Sequence, residues 1–137
     1  MKTMILMVDD EPAILFGYGR YFAKVGYETA EALSLADARK AFQSRRFDAV
    51  LLDLNLPDGN GLDWIRSLRE EYPDTAVIVI TGRATVANAI EALGYRKLRI
   101  SADPRDIRAA DILILPGVGA FAACATFEAA KIRCWIA

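Results

Sequence analysis

Three aspartates and a threonine stand where short apolar runs of the sequence end. Asp9 and Asp10 follow the run Met4–Val8. Asp53 and Thr81 close two later runs that are rich in valine, isoleucine and leucine. Such runs are typical of buried parallel strands, and open α/β sheets place their ligand sites at the carboxyl ends of those strands. If the first and third strands are neighbours, the three carboxylates converge in one cleft.

Converging carboxylates repel one another, and two charges about 4 Å apart cost roughly 4 kcal/mol at an effective dielectric constant near 20. Folding alone does not favour such a cluster, whereas a hard divalent cation removes the repulsion. Proteins hold Mg²⁺ with one or two carboxylates together with carbonyl, water and phosphate oxygens. The cluster therefore predicts metal-assisted phosphoryl transfer, in which an aspartate carboxylate attacks in line and forms an acyl phosphate.

The elements that position these residues alternate along the chain. Short apolar or β-branched runs are separated by longer amphipathic stretches, a pattern that indicates an α/β fold with a parallel sheet between two layers of helices. Ser34 is the predicted N-cap of the second helix, Pro73 closes the third helix, and Gly94 closes the fourth. The composition of Pro57–Gly61 indicates a turn after Asp53. Strands are predicted at Met4–Val8, Thr29–Ala32, Ala49–Leu52, Val77–Thr81, Lys97–Ile100 and Ile112–Leu115.

Length and charge limit the classes of function. The 137 residues suit one compact domain with a single core. Seventeen Lys and Arg against eighteen Asp and Glu leave a net charge of -1, so the sequence predicts no nucleic-acid partner. The apolar opening is too short for a signal-peptide core, and the uncharged run from Ile112 to Phe127 is shorter than the roughly 18 to 20 apolar residues of a spanning helix. We expect a cytoplasmic protein with no membrane partner.

Three segments resemble a known family. They read MILMVDDEP, DAVLLDLNLPDGNGLDWI and VIVITG, and in this order and spacing they are similar to the receiver domains of two-component response regulators. The resemblance covers about residues 1–93. It implies that Asp53 is both the phosphoacceptor and a Mg²⁺ ligand, and that Asp10 is a direct Mg²⁺ ligand. It also implies that Asp9 is a metal or water-mediated ligand, that Asn55 supplies a backbone carbonyl ligand, and that the Thr81 hydroxyl contacts the phosphoryl oxygens.

The resemblance implies a signalling protein rather than an enzyme, with Mg²⁺-dependent phosphorylation of Asp53 by a histidine kinase or a small phosphodonor. Receivers also carry an aromatic residue and then a Lys-Pro pair on their fifth strand. Counting from Gly94 places Leu98 near the aromatic position and Ser101 near the lysine position, so we expect impaired switching. Thr81 also has a simpler interpretation, because a threonine that closes a strand rich in valine and isoleucine needs no functional reason.

The tail resembles a second family. The segment ATVANAIEALGYRKLRISADPRDIRAADILILPGVGAF is similar to the N-terminal part of class I glutamine amidotransferases, in particular the glutaminase subunits of imidazole glycerol phosphate synthases. The turn that corresponds to Pro116–Gly119 lies beside the oxyanion hole in that family, while later segments supply a cysteine nucleophile and a histidine base. The chain contains no histidine, and Cys134 lacks the small-residue elbow that exposes a nucleophile. We therefore expect no glutaminase activity.

Two partial families of one fold class thus meet inside a helix that both resemblances share. We expect a single domain over residues 1–137, with a receiver-like part at 1–93 and an amidotransferase-like part without catalytic residues at 94–137. The expected fold is a three-layer, flavodoxin-like sandwich whose mainly parallel sheet has five to six strands. The fusion itself indicates an engineered or recombined chimera.

Two questions stay open at the level of sequence. Both parts supply a strand for the place beside Val77–Thr81, so a sixth strand could lie at the rim, the sheet could be reordered, or two copies could exchange their tails in a homodimer. The function has alternatives as well. One is a scaffold that keeps the site residues without biological activity, and another is a phosphate-binding module at Gly117–Gly119 and the following helix N-terminus.

Overall fold

The computed structural model describes residues 2–81, 105 and 112–116 of the chain. Strands and helices alternate along residues 2–81, as the sequence predicts. The main sheet contains β1 (Met4–Val8), β2 (Glu28–Ala32), β3 (Ala49–Asp53), β6 (Ala76–Thr81) and β7 (Ile112–Pro116), and a hairpin consists of β4 (Asn55–Leu56) and β5 (Gly59–Asn60). The described helices are α1 (Pro12–Lys24), α2 (Leu35–Ser44) and α3 (Gly61–Glu71).

The main strands are parallel and lie in the order β2-β1-β3-β6-β7. After β1, the chain adds β2 on one side of it and then adds β3, β6 and β7 on the other side. The order of the strands therefore reverses at β1. In open α/β sheets the crevice at the carboxyl ends of the strands beside such a switch point is where ligands bind.

Each face of the sheet has its own buried core, because successive side chains of a strand point to opposite faces. Leu6 and Val8 of β1 pack in a cluster with residues of α2 and α3. Ile5 and Met7 pack in a second cluster with residues of α1. The sheet thus lies between α1 on one face and α2 and α3 on the other, which confirms the predicted three-layer α/β sandwich. The buried apolar side chains of the helices are Leu15, Tyr18 and Phe22 in α1, Leu35, Ala38 and Phe42 in α2, and Trp64, Ile65 and Leu68 in α3.

Local signals set the ends of the helices. The Ser34 hydroxyl accepts a hydrogen bond from the Asp37 backbone amide at 3.1 Å, which confirms the predicted N-cap of α2. Asn60 caps α3 in the same way, since its Oδ1 accepts from the Leu62 amide at 3.0 Å. α3 ends two residues before Pro73, as predicted. Among the described helices, none combines the length and apolar character needed to cross a membrane.

The structure shows which strands lie beside β6, a question that the sequence leaves open. The receiver resemblance pairs this strand with Ala49–Leu52 and the amidotransferase resemblance pairs it with Ile112–Leu115, so the sequence suggests that the two compete for one edge. In the structure β6 pairs with β3 along one edge and with β7 along the other. The place beside β6 thus belongs to β7, and no competition arises because the two edges of a strand carry separate backbone groups. Lys97–Ile100, the helix closed by Gly94 and the C-terminal tail beyond Pro116 lie outside the described residues.

Candidate metal centre at the carboxyl edge of the sheet

Three of the predicted site residues meet at the carboxyl edge of the sheet. β1 and β3 are neighbours, with Val8 opposite Leu52, so the next residues, Asp9 and Asp53, lie side by side. Asp10 continues the chain beyond β1. The carboxylates of Asp9, Asp10 and Asp53 each offer an oxygen, and these oxygens all lie within 4.8 Å of one another. The structure thus brings together the three carboxylates that the sequence predicts.

The three carboxylates differ in their exposure to water. Asp9 is buried, with 8% of its surface exposed, whereas Asp53 is half-buried and Asp10 is exposed. Asp9 Oδ1 accepts a hydrogen bond from the backbone amide of Glu11 at 2.9 Å. The charged groups that act most strongly on Asp9 are Asp53, Asp10 and Glu11, and all three are negative. A buried carboxylate is stable when it is paired with positive charge, and these neighbours have the opposite effect.

This environment changes the proton affinity of both inner carboxylates. Burial is the main reason that the pKa of Asp9 is raised from 3.8 to about 6, and the negative charges of Asp53 and Asp10 act in the same direction against the Glu11 amide. The pKa of Asp53 is raised as well, mainly by burial and then by Asp10 and Glu11. Such shifts are common at functional sites, and a bound cation would favour the ionised carboxylates and so oppose both shifts.

A short hairpin fixes the backbone after Asp53. The Asn55 amide donates to Asp53 Oδ1 at 3.2 Å, and the Gly61 amide donates to the Leu54 carbonyl at 3.3 Å. Asn55 pairs with Asn60 across the hairpin. The predicted turn is therefore confirmed for Pro57 and Asp58, while Gly59 and Asn60 form a strand that the sequence analysis does not predict. Asn55 is placed directly beside the carboxylate, where its carbonyl is the predicted backbone ligand.

Gly61 permits the start of α3 to lie against the end of β3. A Cβ atom at this position would meet Leu52 Cδ2 at 3.0 Å and the Asp53 carbonyl oxygen at 3.3 Å. A larger residue would require the Leu52 side chain or the adjoining backbone to shift by a few tenths of an ångström. The glycine therefore keeps the loop closed around Asp53.

The fourth predicted contact, Thr81, is the last residue of β6. Asp53 lies opposite Ile80, so the backbone of Thr81 comes one residue beyond Asp53 at the same edge of the sheet. On the far side of β6, Leu115 lies opposite Ile80 and Pro116 opposite Thr81. The Thr81 side chain lies outside the described part of the structure, so its contact with a phosphoryl group stays a prediction.

Sequence reasoning assigned Asp58 only to a turn, and the structure gives it a long-range role. Its Oδ1 accepts from the Leu35 amide at 2.9 Å and its Oδ2 accepts from the Ala36 amide at 3.0 Å. Both donors belong to the first turn of α2, whose amides have no partner inside the helix. The one feature that could have indicated this role is the Ser34 cap. Ser34 accepts from the Asp37 amide only, so the Leu35 and Ala36 amides need another acceptor.

The profile of the response regulator receiver domain matches residues 5–99, which is more than half of the chain. The match spans β1 through β6 and all three clustered aspartates. The chain belongs to the response regulator receiver domain family. Receiver domains are signalling proteins of two-component systems rather than conventional enzymes. They interact with histidine kinases, and they bind Mg²⁺ at an acidic pocket of the kind that Asp9, Asp10 and Asp53 form here.

Curated relatives resemble this receiver domain over about two thirds of its length. The photosynthetic apparatus regulatory protein RegA of Rhodobacter capsulatus is 35% identical over 89 residues, which are 65% of this chain and 48% of that protein. The TorCAD operon transcriptional regulatory protein TorR of Escherichia coli is 38% identical over 93 residues, which are 68% of this chain and 40% of that protein. The matched region is thus less than half the length of either relative.

Solved structures agree with the fold. A CheY-like receiver domain protein from Methanospirillum hungatei superposes with a TM-score of 0.72 at 21% identity, over 99% of this chain and 94% of that one. The response regulator protein TrrA from Thermotoga maritima, solved in complex with Mg²⁺–BeF, superposes with a TM-score of 0.60 at 32% identity, over 67% of this chain and 81% of that one. These similarities concern receivers, and the amidotransferase resemblance of residues 84–137 stays a prediction.

Proposed function

We propose that this receiver domain is a Mg²⁺-dependent phosphoacceptor of two-component signalling and that Asp53 takes the phosphoryl group. The observation that carries the proposal is the convergence of the Asp9, Asp10 and Asp53 carboxylates, whose oxygens lie within 4.8 Å of one another. A folded chain gains nothing from this arrangement by itself, because burial and mutual repulsion raise the pKa of both Asp9 and Asp53.

The donor set fits Mg²⁺. The clustered groups are hard oxygen ligands. The proposal adds the backbone carbonyl of Asn55, a residue whose amide donates to Asp53 Oδ1. Asp9, Asp10 and Asp53 would hold the ion together with this carbonyl, an arrangement that leaves ligand positions for water and a phosphate oxygen. A bound Mg²⁺ supplies positive charge that compensates the carboxylates and the incoming phosphoryl group.

The protein's own part in the transfer is to position a nucleophile. An oxygen of the Asp53 carboxylate forms a bond to phosphorus while the bond from phosphorus to the donor breaks, and the product is an acyl phosphate. The donor is a phosphohistidine of a kinase or a small phosphodonor, and it leaves with the electron pair of the broken bond. The Asn55 amide holds Oδ1 and so orients the carboxylate, and Thr81 is the proposed hydroxyl contact to the transferred oxygens.

Impaired switching is part of the proposal. Receivers end their fifth strand with a Lys-Pro pair, and the strand beside β6 ends here with Leu115 and Pro116. Strand β7 contains neither a basic nor an aromatic residue. The phosphoryl group would therefore lack the ammonium contact that links phosphorylation to the rest of the fold. In this proposal residues 94–137, which contain β7, complete a single domain and serve structure, as expected for a chimera.

The test is the intact mass of the protein after incubation with Mg²⁺ and acetyl phosphate. We expect a mass increase of one phosphoryl group on the parent chain. Asp53→Asn, which keeps the size of the side chain but loses the nucleophile, should show no increase, and neither should the parent in the presence of EDTA. A folded parent that takes no phosphoryl group and binds no beryllofluoride would favour the alternative function, a receiver-fold scaffold with no retained activity.

A further inference from the structure

Asp58 links the loop that follows the phosphoacceptor to the start of α2. Its two carboxylate oxygens accept hydrogen bonds from the Leu35 and Ala36 amides at 2.9 and 3.0 Å. These contacts bridge 23 and 22 positions of sequence, so they join two elements that the chain does not place next to each other. Ser34 satisfies the Asp37 amide separately. α2 thus has two caps, one from its own segment and one from the site loop.

The hairpin tip contacts α2 through apolar groups as well. Leu56 is buried, with 8% of its surface exposed, and belongs to the same core cluster as Leu35. A Cβ atom on Gly59 would lie 3.3 Å from Leu35 Cδ1, so the backbone of the tip passes close to the helix. The tip that carries Asp58 is therefore fixed to the helix from two sides, by hydrogen bonds and by packing.

The base of the same hairpin lies at the candidate metal centre. Asn55 pairs with Asn60 and Leu56 with Gly59, so Asn55 is only three residues from Asp58. Asn55 and Asp58 thus belong to the same short hairpin, so a displacement of the tip is expected to shift the Asn55 backbone as well. The Asn55 amide in turn donates to Asp53 Oδ1. The α2 cap and the proposed ligand set are thus joined by a few residues of hydrogen-bonded backbone.

We infer that Asp58 is a positioning residue, which holds the Asn55 carbonyl in place for Mg²⁺ by fastening the hairpin tip to the N-terminus of α2. This inference rests on the proposed function, because it concerns the same metal site. The hydrogen bonds from Leu35 and then Ala36 lower the pKa of Asp58, so its carboxylate is charged at neutral pH. A negative charge also suits the positive end of the helix dipole.

The Asp58 cap and Mg²⁺ binding should each strengthen the other. If the cap strengthens Mg²⁺ binding, then Mg²⁺ binding must strengthen the cap by the same factor, since coupling between two sites is reciprocal. The Leu35 and Ala36 amides should therefore exchange with solvent more slowly when Mg²⁺ is bound. The Asp37 amide provides an internal control, because it is held by Ser34 and not by the loop.

The experiment measures the Mg²⁺ affinity of four proteins by calorimetry: the parent, Asp58→Ala, Asp58→Asn and Ser34→Ala. We expect Asp58→Ala to bind about fivefold more weakly than the parent, at the lower end of typical coupling between sites. Asp58→Asn keeps the side-chain shape and one acceptor oxygen, so it should fold even if the alanine variant does not. Its Mg²⁺ affinity should lie between those of the parent and Asp58→Ala. Ser34→Ala removes the other cap of α2 and should bind as the parent does.

Each other result has a defined meaning. Unchanged affinity in both Asp58 variants, with a parent that binds Mg²⁺, overturns this inference and leaves the proposed function standing. Equal weakening in Ser34→Ala also overturns it, because any loss of helix capping would then have the same effect. A folded parent that binds no Mg²⁺ removes the proposed function and this inference together. Hydrogen exchange adds a second readout. Mg²⁺ should slow exchange of the Leu35 and Ala36 amides in the parent but should not slow exchange of the same amides in Asp58→Ala.

Discussion

Replacing Asp9 with asparagine should stabilise the metal-free protein. Asp9 is buried beside two other carboxylates, and its pKa is raised from 3.8 to about 6, mainly by burial. A raised pKa means that the folded protein holds the Asp9 proton more tightly than the unfolded chain does. The favourable contribution is complete below about pH 3.8, and it is lost as the pH rises through about 6. At neutral pH the ionised Asp9 therefore lowers the free energy of unfolding.

The size of the effect follows from the shift. One unit of pKa corresponds to about 1.4 kcal/mol, so a shift of roughly two units from 3.8 to about 6 gives about 3 kcal/mol at neutral pH. Asparagine keeps the oxygen that accepts from the Glu11 amide at 2.9 Å, so the local hydrogen bond should survive. The neutral side chain has nearly the same volume. The free energy of unfolding of Asp9→Asn should accordingly exceed that of the parent by about 3 kcal/mol at about pH 7.5 and by very little near pH 4.

The assay is urea unfolding followed by circular dichroism in EDTA, repeated between about pH 4.5 and 7.5. The free energies of unfolding of the parent and the variant should differ least at the acid end. Their difference should widen as the pH rises to about 6 and stay nearly constant above it. Asp10→Asn serves as the matched control, because it removes the same charge from an exposed position and should open a smaller difference. Saturating Mg²⁺ should raise the stability of the parent and leave Asp9→Asn nearly unchanged.

Two results would refute this reasoning. The first is an Asp9→Asn variant that is no more stable than the parent at neutral pH without metal. The second is a gain in stability that stays constant across the pH range, because a constant gain would come from packing or from a change in the unfolded chain. Either outcome would show that ionisation of the buried carboxylate costs the fold nothing, and the electrostatic argument for a cation site would lose its main support.

Two further predictions concern stability. Gly59→Ala should cost about 1–2 kcal/mol, because Gly59 has a φ of 149° and a Cβ would lie 3.3 Å from Leu35 Cδ1. Gly26→Ala is the control with positive φ but open space, and a larger loss there in urea unfolding would contradict the packing argument. Thr75→Val should cost about 1–2 kcal/mol, since the buried hydroxyl donates to the Phe47 carbonyl at 2.8 Å. A variant as stable as the parent in urea would show that this carbonyl finds another donor.

The sequence predicts the site better than it predicts the loop around the site. Asp9 and Asp53 can be placed together because each follows a strand with an unmistakable apolar pattern, and parallel strands end at one edge. The hairpin after Asp53 has only two residues in each strand, too few for any period to emerge. Asp58 shows the same limit, because its partners Leu35 and Ala36 are more than twenty positions away. Contacts of this kind depend on how the helices and strands pack together, and the local composition of the sequence does not predict that packing.

The strand that pairs with β6 is hard to predict from the sequence for a different reason. Lys97–Ile100 and Ile112–Leu115 are both predicted as short strands that follow Val77–Thr81, and strand propensity alone does not show which of them pairs with it. The structure selects the second run, which pairs with β6 from Val77 to Thr81. All five residues of β7 except its closing proline are isoleucine or leucine, whereas two of the four residues in Lys97–Ile100 are basic. The uniformly apolar run is the one that suits a parallel sheet covered on both faces.

This choice of strand leads to a prediction about switching. Asp53, Ile80 and Leu115 lie in one register row across β3, β6 and β7. Neighbouring strands are about 4.8 Å apart, so the backbone of Leu115 is about 10 Å from that of Asp53, a distance that a lysine and a phosphoryl group can span together. Leu115→Lys would therefore create a Lys-Pro pair at the end of the strand that lies beside β6.

We expect Leu115→Lys to bind beryllofluoride about tenfold more tightly than the parent in the presence of Mg²⁺. A hydrogen bond to a charged group contributes about 1.5–3 kcal/mol, and about 1.4 kcal/mol corresponds to a factor of ten in affinity. Leu115→Met is the control, because it makes the side chain flexible without adding charge. If the lysine and methionine variants bind equally well, then the register row does not bring position 115 to the phosphoryl group. The missing lysine would then be no reason to expect impaired switching.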